Sequence, residues 1–341
     1  MTIPTRMIGS LKVSALGLGC MGMSSGYGDA DEAGSLTTLN EAIDRGCSFL
    51  DTSDVYGPHT NERLIANVLR DRREHIVIAT KFGLASARAE DGSRRSPRGD
   101  AAYVAEACDD SLARLGVDHI DLYYLHRADP DVPIEETVGA MAALVTAGKV
   151  GHLGLSEVQP ETLRRAVAVH PIDALQSEWS LWTREIEVDV LAAARELNIG
   201  IVPFSPLGRG ALTGAISPDT SFGEGDMRSR MARYQGDELR QNLRSVDELV
   251  AMAADLRCTA AQLALAWVLA QGSDVVPIPG TRRVERLREN LGALDVCLGD
   301  SERDRLSQLF PMDAIAGTRH PAGRPLASGL TPIGRAGEDT R

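Results

Sequence analysis

The sequence predicts a (β/α)8 barrel. Three observations carry that reading: short apolar or β-branched runs alternate with amphipathic stretches eight times, the connections are mostly short, and no shift in composition divides the 341 residues. A hairpin-like segment from Met7 to Val13 precedes the repeat. Strands are predicted over 15–18, 48–52, 76–80, 120–125, 151–155, 174–177, 200–203 and 275–278. Helices are predicted over 34–45, 61–70, 101–115, 134–147, 160–169, 186–197 and 260–270, with an eighth over 283–294. Within them apolar residues recur three and four apart, as at Leu263, Trp267 and the Leu269-Ala270 pair. Pro160 opens one helix at its first turn, and Ser301 with Asp304 resembles a capping box before a short terminal helix. Two segments fall outside the repeat: residues 207–241, which carry few large apolar side chains, and the Gly-, Pro- and Arg-rich 311–341. Loops of that length are usually lids or tails. The expectation is one domain over 1–341, with its core at about 7–310.

The rival architecture is a pair of doubly wound halves. Its support is Gly17-Leu-Gly19-Cys-Met-Gly22, which matches G-x-G-x-x-G after a strand. That fingerprint has to open a helix at once, and here a Ser/Gly/Asp-rich loop, 24–34, intervenes.

Charge limits the partners. With 36 basic and 48 acidic side chains the formal charge is −12, so a phosphate backbone or an anionic membrane surface is disfavoured. No run approaches ~18 uninterrupted apolar residues and the start lacks an apolar signal core, so a cytoplasmic chain is expected. The cysteines (Cys20, Cys47, Cys108, Cys258 and Cys297) are odd in number and lack a C-x-x-C pair, which fits reduced thiols rather than disulfides or a metal site. Of the basic residues only Lys12, Lys81 and Lys149 are lysines. Lys81 closes an apolar run, and lysine responds to desolvation in a way arginine does not.

Chemistry gathers at the strands' C-terminal ends, the face where barrel enzymes build active sites. The second strand leads into Asp51-Thr-Ser-Asp-Val-Tyr56, the third into Lys81-Phe82 and the fourth into His126-Arg127. Asp51, Tyr56, Lys81 and His126 are therefore expected to converge. A phenol with a reference pKa of about 10 is a poor acid at neutral pH until an ammonium stabilises its phenolate. Lys81 is predicted to supply that ammonium, Asp51 to hold it, and His126 to hydrogen-bond a substrate oxygen.

These segments resemble the catalytic tetrad of the aldo-keto reductase superfamily, and the resemblance covers roughly residues 7 to 310. It implies a barrel that binds NADPH without a dinucleotide-binding domain and reduces an aldehyde or ketone, with Tyr56 as general acid. It implies nicotinamide contacts at Asp51, Ser156 in Gly154-Leu-Ser156-Glu, Gln176, and the stretch Phe204-Ser205-Pro206-Leu207 to Gly210. The first strand's end, Gly19-Cys20-Met21, belongs to the same set. Gly280-Thr281-Arg282, Arg286, Glu289 and Asn290 are implied to hold the adenosine 2′-phosphate and adenine, at a helix start suited to an anion. Met21, Met23, Tyr27, Phe82, Trp179 and Trp182 are the expected substrate walls.

This chain departs from the pattern in several places. Phe204 stands for a common tyrosine, Trp179 for another, Glu157 for asparagine, and Gly280 for a phosphate-binding lysine. His126 is kept, which implies carbonyl rather than double-bond reduction. Two other readings stay open: a cofactor-binding regulatory subunit with little turnover, as in members attached to potassium channels, and a Rossmann-type dehydrogenase. Monomer and homo-oligomer are both compatible with the resemblance.

Overall fold

A computed structural model of the chain describes residues 3–84 and 97–319. Two short antiparallel strands, β1 (Thr5–Ile8) and β2 (Leu11–Ser14), come first. A parallel sheet follows, running in chain order through β3 (Leu18–Gly19), β4 (Phe49–Asp51), β5 (Val77–Phe82), β6 (Ile120–Leu125), β7 (Val150–Ser156), β8 (Ala174–Glu178) and β9 (Gly200–Phe204). Residues 274–280 close it into a barrel: the Val276 and Ile278 amides donate to Ile201 O and Pro203 O, while Pro277 O and Pro279 O accept from the Gly17 and Gly19 amides. This is the predicted eighth strand, but it forms only isolated bridges. Pro277 and Pro279 have no N–H to give β3, so the ladder on that side is half made.

The helices are α1 (Glu32–Asp44), α2 (Thr60–Arg72), α3 (Ala101–Leu115), α4 (Ile134–Thr146), α5 (Pro160–Val167), α6 (Val190–Glu196), α7 (Gly236–Asp255), α8 (Ala260–Leu269), α9 (Val284–Leu291) and α10 (Asp300–Leu309). Local chemistry sets their ends. The Asp100 carboxylate accepts from Tyr103 N and Gly116 takes φ 68° after α3. Thr259 and Gln262 form a reciprocal capping box at α8.

Four expectations need correction. Residues 15–18 lie mostly outside the barrel ladder, because Ala15 N donates to Pro4 O and only Leu18 and Gly19 pair with β4. Residues 186–189 precede α6, lying in a 3-10 turn at Glu185–Glu187 and the turn that follows it. Ser301 does not cap α10: its hydroxyl donates to Glu302, and Gly299 is the cap. Finally, 207–241 is not one long loop, because its end lies within α7. The first turn, Gly236-Asp-Glu-Leu-Arg-Gln, has a single apolar residue, so the buried stripe Leu239, Leu243, Val246 and Leu249 starts faintly.

Two cores support the barrel. Phe49, Ala79, Leu122, Tyr124, Ala174, Val202, Val276 and Ile278 fill its interior, and Ile8 and Val13 of the β1–β2 hairpin join them. Any Cβ on Gly200 would sit 2.2 Å from Ile8 Cγ2, so glycine there lets the hairpin seat closely. A second, larger cluster lies between strands and helices. The site-bearing residues sit at the strands' C-terminal ends. Gly19 ends β3 and is followed by a 3-10 turn at Met21–Met23, and α1 begins only at Glu32, so the doubly wound reading fails. No single helix among the described residues is long and apolar enough to cross a membrane. Of the tail 311–341, residues 320–341 lie outside the described residues.

Candidate active site

Asp51 ends β4, Lys81 lies near the end of β5 and His126 directly follows β6; Asp51 pairs with Ala79 and Lys81 with Tyr124, so each is stepped two residues beyond the one before and all three emerge at the strands' C-terminal ends. Tyr56 lies on the turn after β4, held by its amide to Ser53 O at 3.2 Å. Lys81 has no exposed surface, and its three ammonium protons meet three acceptors: Asp51 Oδ1 at 2.5 Å, Thr52 O at 2.7 Å and Tyr56 Oη at 3.3 Å. The second Asp51 oxygen accepts from Gln176 Nε2 at 2.7 Å. His126 stands edge-on to the Tyr56 ring, with centroids 5.9 Å apart, and its Nδ1 lies 3.1 Å from Ser53 Oγ.

The electrostatics follow from burial. Desolvation alone would lower the Lys81 ammonium, but Asp51 and Tyr56 outweigh it and hold the amine above its usual range. His126 is pushed well below the usual imidazole range by burial and by the nearby Arg127 and Lys81 charges, so it is neutral. Burial raises the Tyr56 phenol and Lys81 only partly opposes it. The expected acidification of the resting phenol is therefore absent: the hydroxyl keeps its proton, and the ammonium beside it waits for the phenolate.

Asp51, Tyr56 and His126 line one end of a cavity of about 820 Å3. Gly19, Met21, Tyr27, Ser156 and Gln176 line the same space. It continues past Phe204, Ser205, Pro206, Leu207 and Gly210 to Gly280, Thr281, Arg282, Arg286, Glu289 and Asn290. Ser205 (φ 49°), Gly208 (φ 54°), Arg209 (φ 50°) and Gly210 (φ 96°) turn the chain sharply along the middle of this groove. At the far end Arg286 pairs with Glu289 at 2.6 Å, and Arg282 donates to the carbonyl of Asp29. Thr281, Arg282, Arg283 and Arg286 are the groups that could hold a phosphate.

Five predicted cofactor or substrate residues do not reach the cavity. Cys20 is fully buried, its sulfur against Leu18 O at 3.5 Å. Met23 is a core residue. Phe82, which follows inward-facing Lys81, turns to the helix layer and stacks on Tyr123 at 4.8 Å. Trp179 donates to Glu187 at 2.8 Å and packs edge-on against Trp267 at 6.3 Å. Trp182 packs on Tyr234 at 6.0 Å. Lys81 also stands behind the surface rather than on it, acting through Tyr56.

Sequence reasoning missed a charged cluster beside the catalytic set. Glu178 takes two bonds from Arg209, at 2.6 and 2.9 Å, and one from Arg319 Nε at 2.7 Å. Glu157 accepts from Glu178 N at 2.8 Å and from Arg319 Nη2 at 2.7 Å. Arg319 comes from the C-terminal segment that reads as tail, which Asn242 ties down through Ala316 N at 2.7 Å. A carboxylate closing a barrel strand was the available signal, because burying it demands partners. Ser53 and Arg127 were legible only as neighbours of Asp51 and His126.

The chain matches the aldo/keto reductase family over residues 15–310. It is 45% identical over 311 residues to probable aldo-keto reductase 1 of Glycine max, covering 91% of this chain and 89% of that one. It is 44% identical over 328 residues to aldo-keto reductase yakc [NADP(+)] of Schizosaccharomyces pombe, covering 95% and 96%. Among solved structures it resembles the glycerol dehydrogenase AKR11B4 from Gluconobacter oxydans, with TM-score 0.82, 27% identity and coverage of 92% and 98%. It also resembles the aldo-keto reductase AKR11C1 from Bacillus halodurans in its holo form, with TM-score 0.74, 28% identity and the same coverage. The chain belongs to the aldo/keto reductase family.

Proposed function

We propose that this chain is an NADPH-dependent reductase of aldehydes or ketones in which Tyr56 gives the proton. One observation carries the reading: the phenol oxygen bonded to the buried Lys81–Asp51 pair opens into the same cavity that ends at Arg282 and Arg286.

The residues suit the dinucleotide. Ser156 and Gln176 offer polar partners for a carboxamide, the Phe204 ring a flat surface for nicotinamide, and the turn 205–210 a wall for the pyrophosphate. Thr281, Arg282 and Arg286 fit a terminal phosphate, and a relative carries NADP(+) in its name. Bound there, NADPH supplies the hydride for the carbonyl carbon.

This chain's own part is proton handling and positioning. Tyr56 Oη donates its proton to the oxygen as negative charge develops there, and Lys81 Nζ, 3.3 Å away, stabilises the phenolate left behind. His126 Nδ1 and Ser53 Oγ lie 3.1 Å apart, and the tautomer in which Ser53 donates carries the imidazole proton on Nε2, the nitrogen that can bond the substrate oxygen. Gln176 and Lys81 hold the Asp51 carboxyl in place and oppose the rise that burial imposes on it. Of the other readings, a cofactor-sensing subunit has no need of this proton donor.

The test is NADPH absorbance with a panel of aldehydes, ketones and keto-sugars. Oxidation that depends on the carbonyl compound supports the reading. Tight NADPH binding with no consumption across the panel supports the binding-subunit reading instead.

A further inference from the structure

We infer that the carbonyl substrate carries a carboxylate and that Arg127 binds it, an inference that rests on the reductase reading and names its substrate class. Arg127 follows His126 at the mouth of β6 and lines the cavity. Its Nη1 is fully used, donating to His126 O at 2.5 Å and to Ser156 Oγ at 3.0 Å. Both acceptors are neutral. Among the described residues, Nε and Nη2 have no acceptor and no carboxylate forms an ion pair with this guanidinium.

The other arginines near this end are neutralised. Arg209 sits on Glu178 at 2.6 Å, Arg228 on Asp226 at 2.6 Å, and Arg319 on both Glu157 and Glu178 at 2.7 Å. Glu157, the carboxylate that acts most strongly on Arg127, has already given one oxygen to Glu178 N and the other to Arg319. Arg127 therefore keeps an uncompensated charge in a largely desolvated position, which is costly unless an anion arrives.

The free edge has a definite shape. Nε–H and Nη2–H are the parallel donors that a carboxylate accepts two at a time. The cofactor's phosphates suit the opposite end of the cavity, around Arg282 and Arg286, so they do not meet this edge. Arg127 lines the same cavity as Tyr56 and His126, anchored there by its bonds to the His126 backbone carbonyl and to Ser156, so a carbonyl held by Tyr56 and His126 shares that space with its free edge. Short oxo acids satisfy both ends at once.

The experiment uses the full chain with NADPH and compares glyoxylate, pyruvate and 4-oxobutanoate, each against its methyl ester, with benzaldehyde as a neutral reference. For at least one pair kcat/KM should favour the acid by about tenfold or more, the worth of one charged hydrogen-bonded contact. Arg127→Gln should bring that ratio close to one, and Arg127→Lys should restore part of it. A general loss of nicotinamide positioning through Ser156 lowers acid and ester together and leaves the ratio unchanged. No preference for any acid in the wild type, or an unchanged ratio in Arg127→Gln, overturns the inference while benzaldehyde reduction keeps the reductase reading. Loss of all reduction, benzaldehyde included, in wild-type protein that binds NADPH overturns both.

Discussion

The Lys81 ammonium and the Tyr56 hydroxyl approach to 3.3 Å, and the same amine is pinned by Asp51 at 2.5 Å. The pair is buried, so each member constrains the others. Lys81→Met should cut turnover by about 100-fold or more and, by stranding the Asp51 carboxylate, destabilise the fold by about 3–5 kcal/mol. Combining it with Asp51→Asn should return most of that stability and none of the turnover, read from denaturant midpoints and NADPH oxidation. Turnover recovered in the double variant would remove Lys81 from the chemistry.

Arg282 and Arg286 are predicted to read the phosphate that distinguishes NADPH from NADH. Arg282→Ala or Arg286→Ala should weaken NADPH binding by about 10- to 100-fold and leave NADH binding within about threefold. Fluorescence titration of both cofactors checks this, and equal losses would count against the assignment. Arg286 is shared with Glu289, so Glu289→Gln should tighten NADPH modestly.

Asp54 gives a pH signature. It is 6% exposed, and burial beside Glu62 pushes its carboxyl up to about 7. Because the folded value exceeds the unfolded one, its contribution is complete below about pH 4 and is lost as pH rises through about 7. Asp54→Asn keeps an acceptor for Ser53 and removes the ionisation. Its stability relative to wild type should improve by up to about 1.4 kcal/mol per pH unit between those limits and then level off. Urea midpoints measured at several pH values decide, and parallel curves would contradict the shift.

Glu178 joins the turn at Arg209 to the C-terminal segment at Arg319. Glu178→Gln leaves two buried guanidinium groups short of charge and should cost about 3–5 kcal/mol. Arg319→Gln leaves Arg209 on Glu178 but strands the buried Glu157, and should cost a similar amount. A Glu178→Gln variant with wild-type melting behaviour would show that the cluster is not holding these segments.

The barrel was legible in the sequence because its strands repeat at regular spacing, and the exact match at 120–125 shows how strong a doubly buried run such as Ile-Asp-Leu-Tyr-Tyr-Leu is. The signal failed where backbone chemistry decides. Pro277 and Pro279 remove donors from the closing strand, and the charged first turn of α7 hides a helix. At the site, Asp51, Tyr56, Lys81 and His126 could be placed because strand ends are fixed by register. Side chains one residue further along face the other layer, which is how Phe82 was misplaced. Arg319 and Glu157 lie 162 positions apart, a distance that no local pattern spans.

The most direct measurement separates binding from turnover in Tyr56→Phe. The ring stays and only the hydroxyl facing Lys81 is removed. NADPH affinity should remain within about threefold of wild type, while kcat for an activated aldehyde falls by at least about 100-fold. Aldehyde reduction at an ordinary rate by Tyr56→Phe would contradict the account.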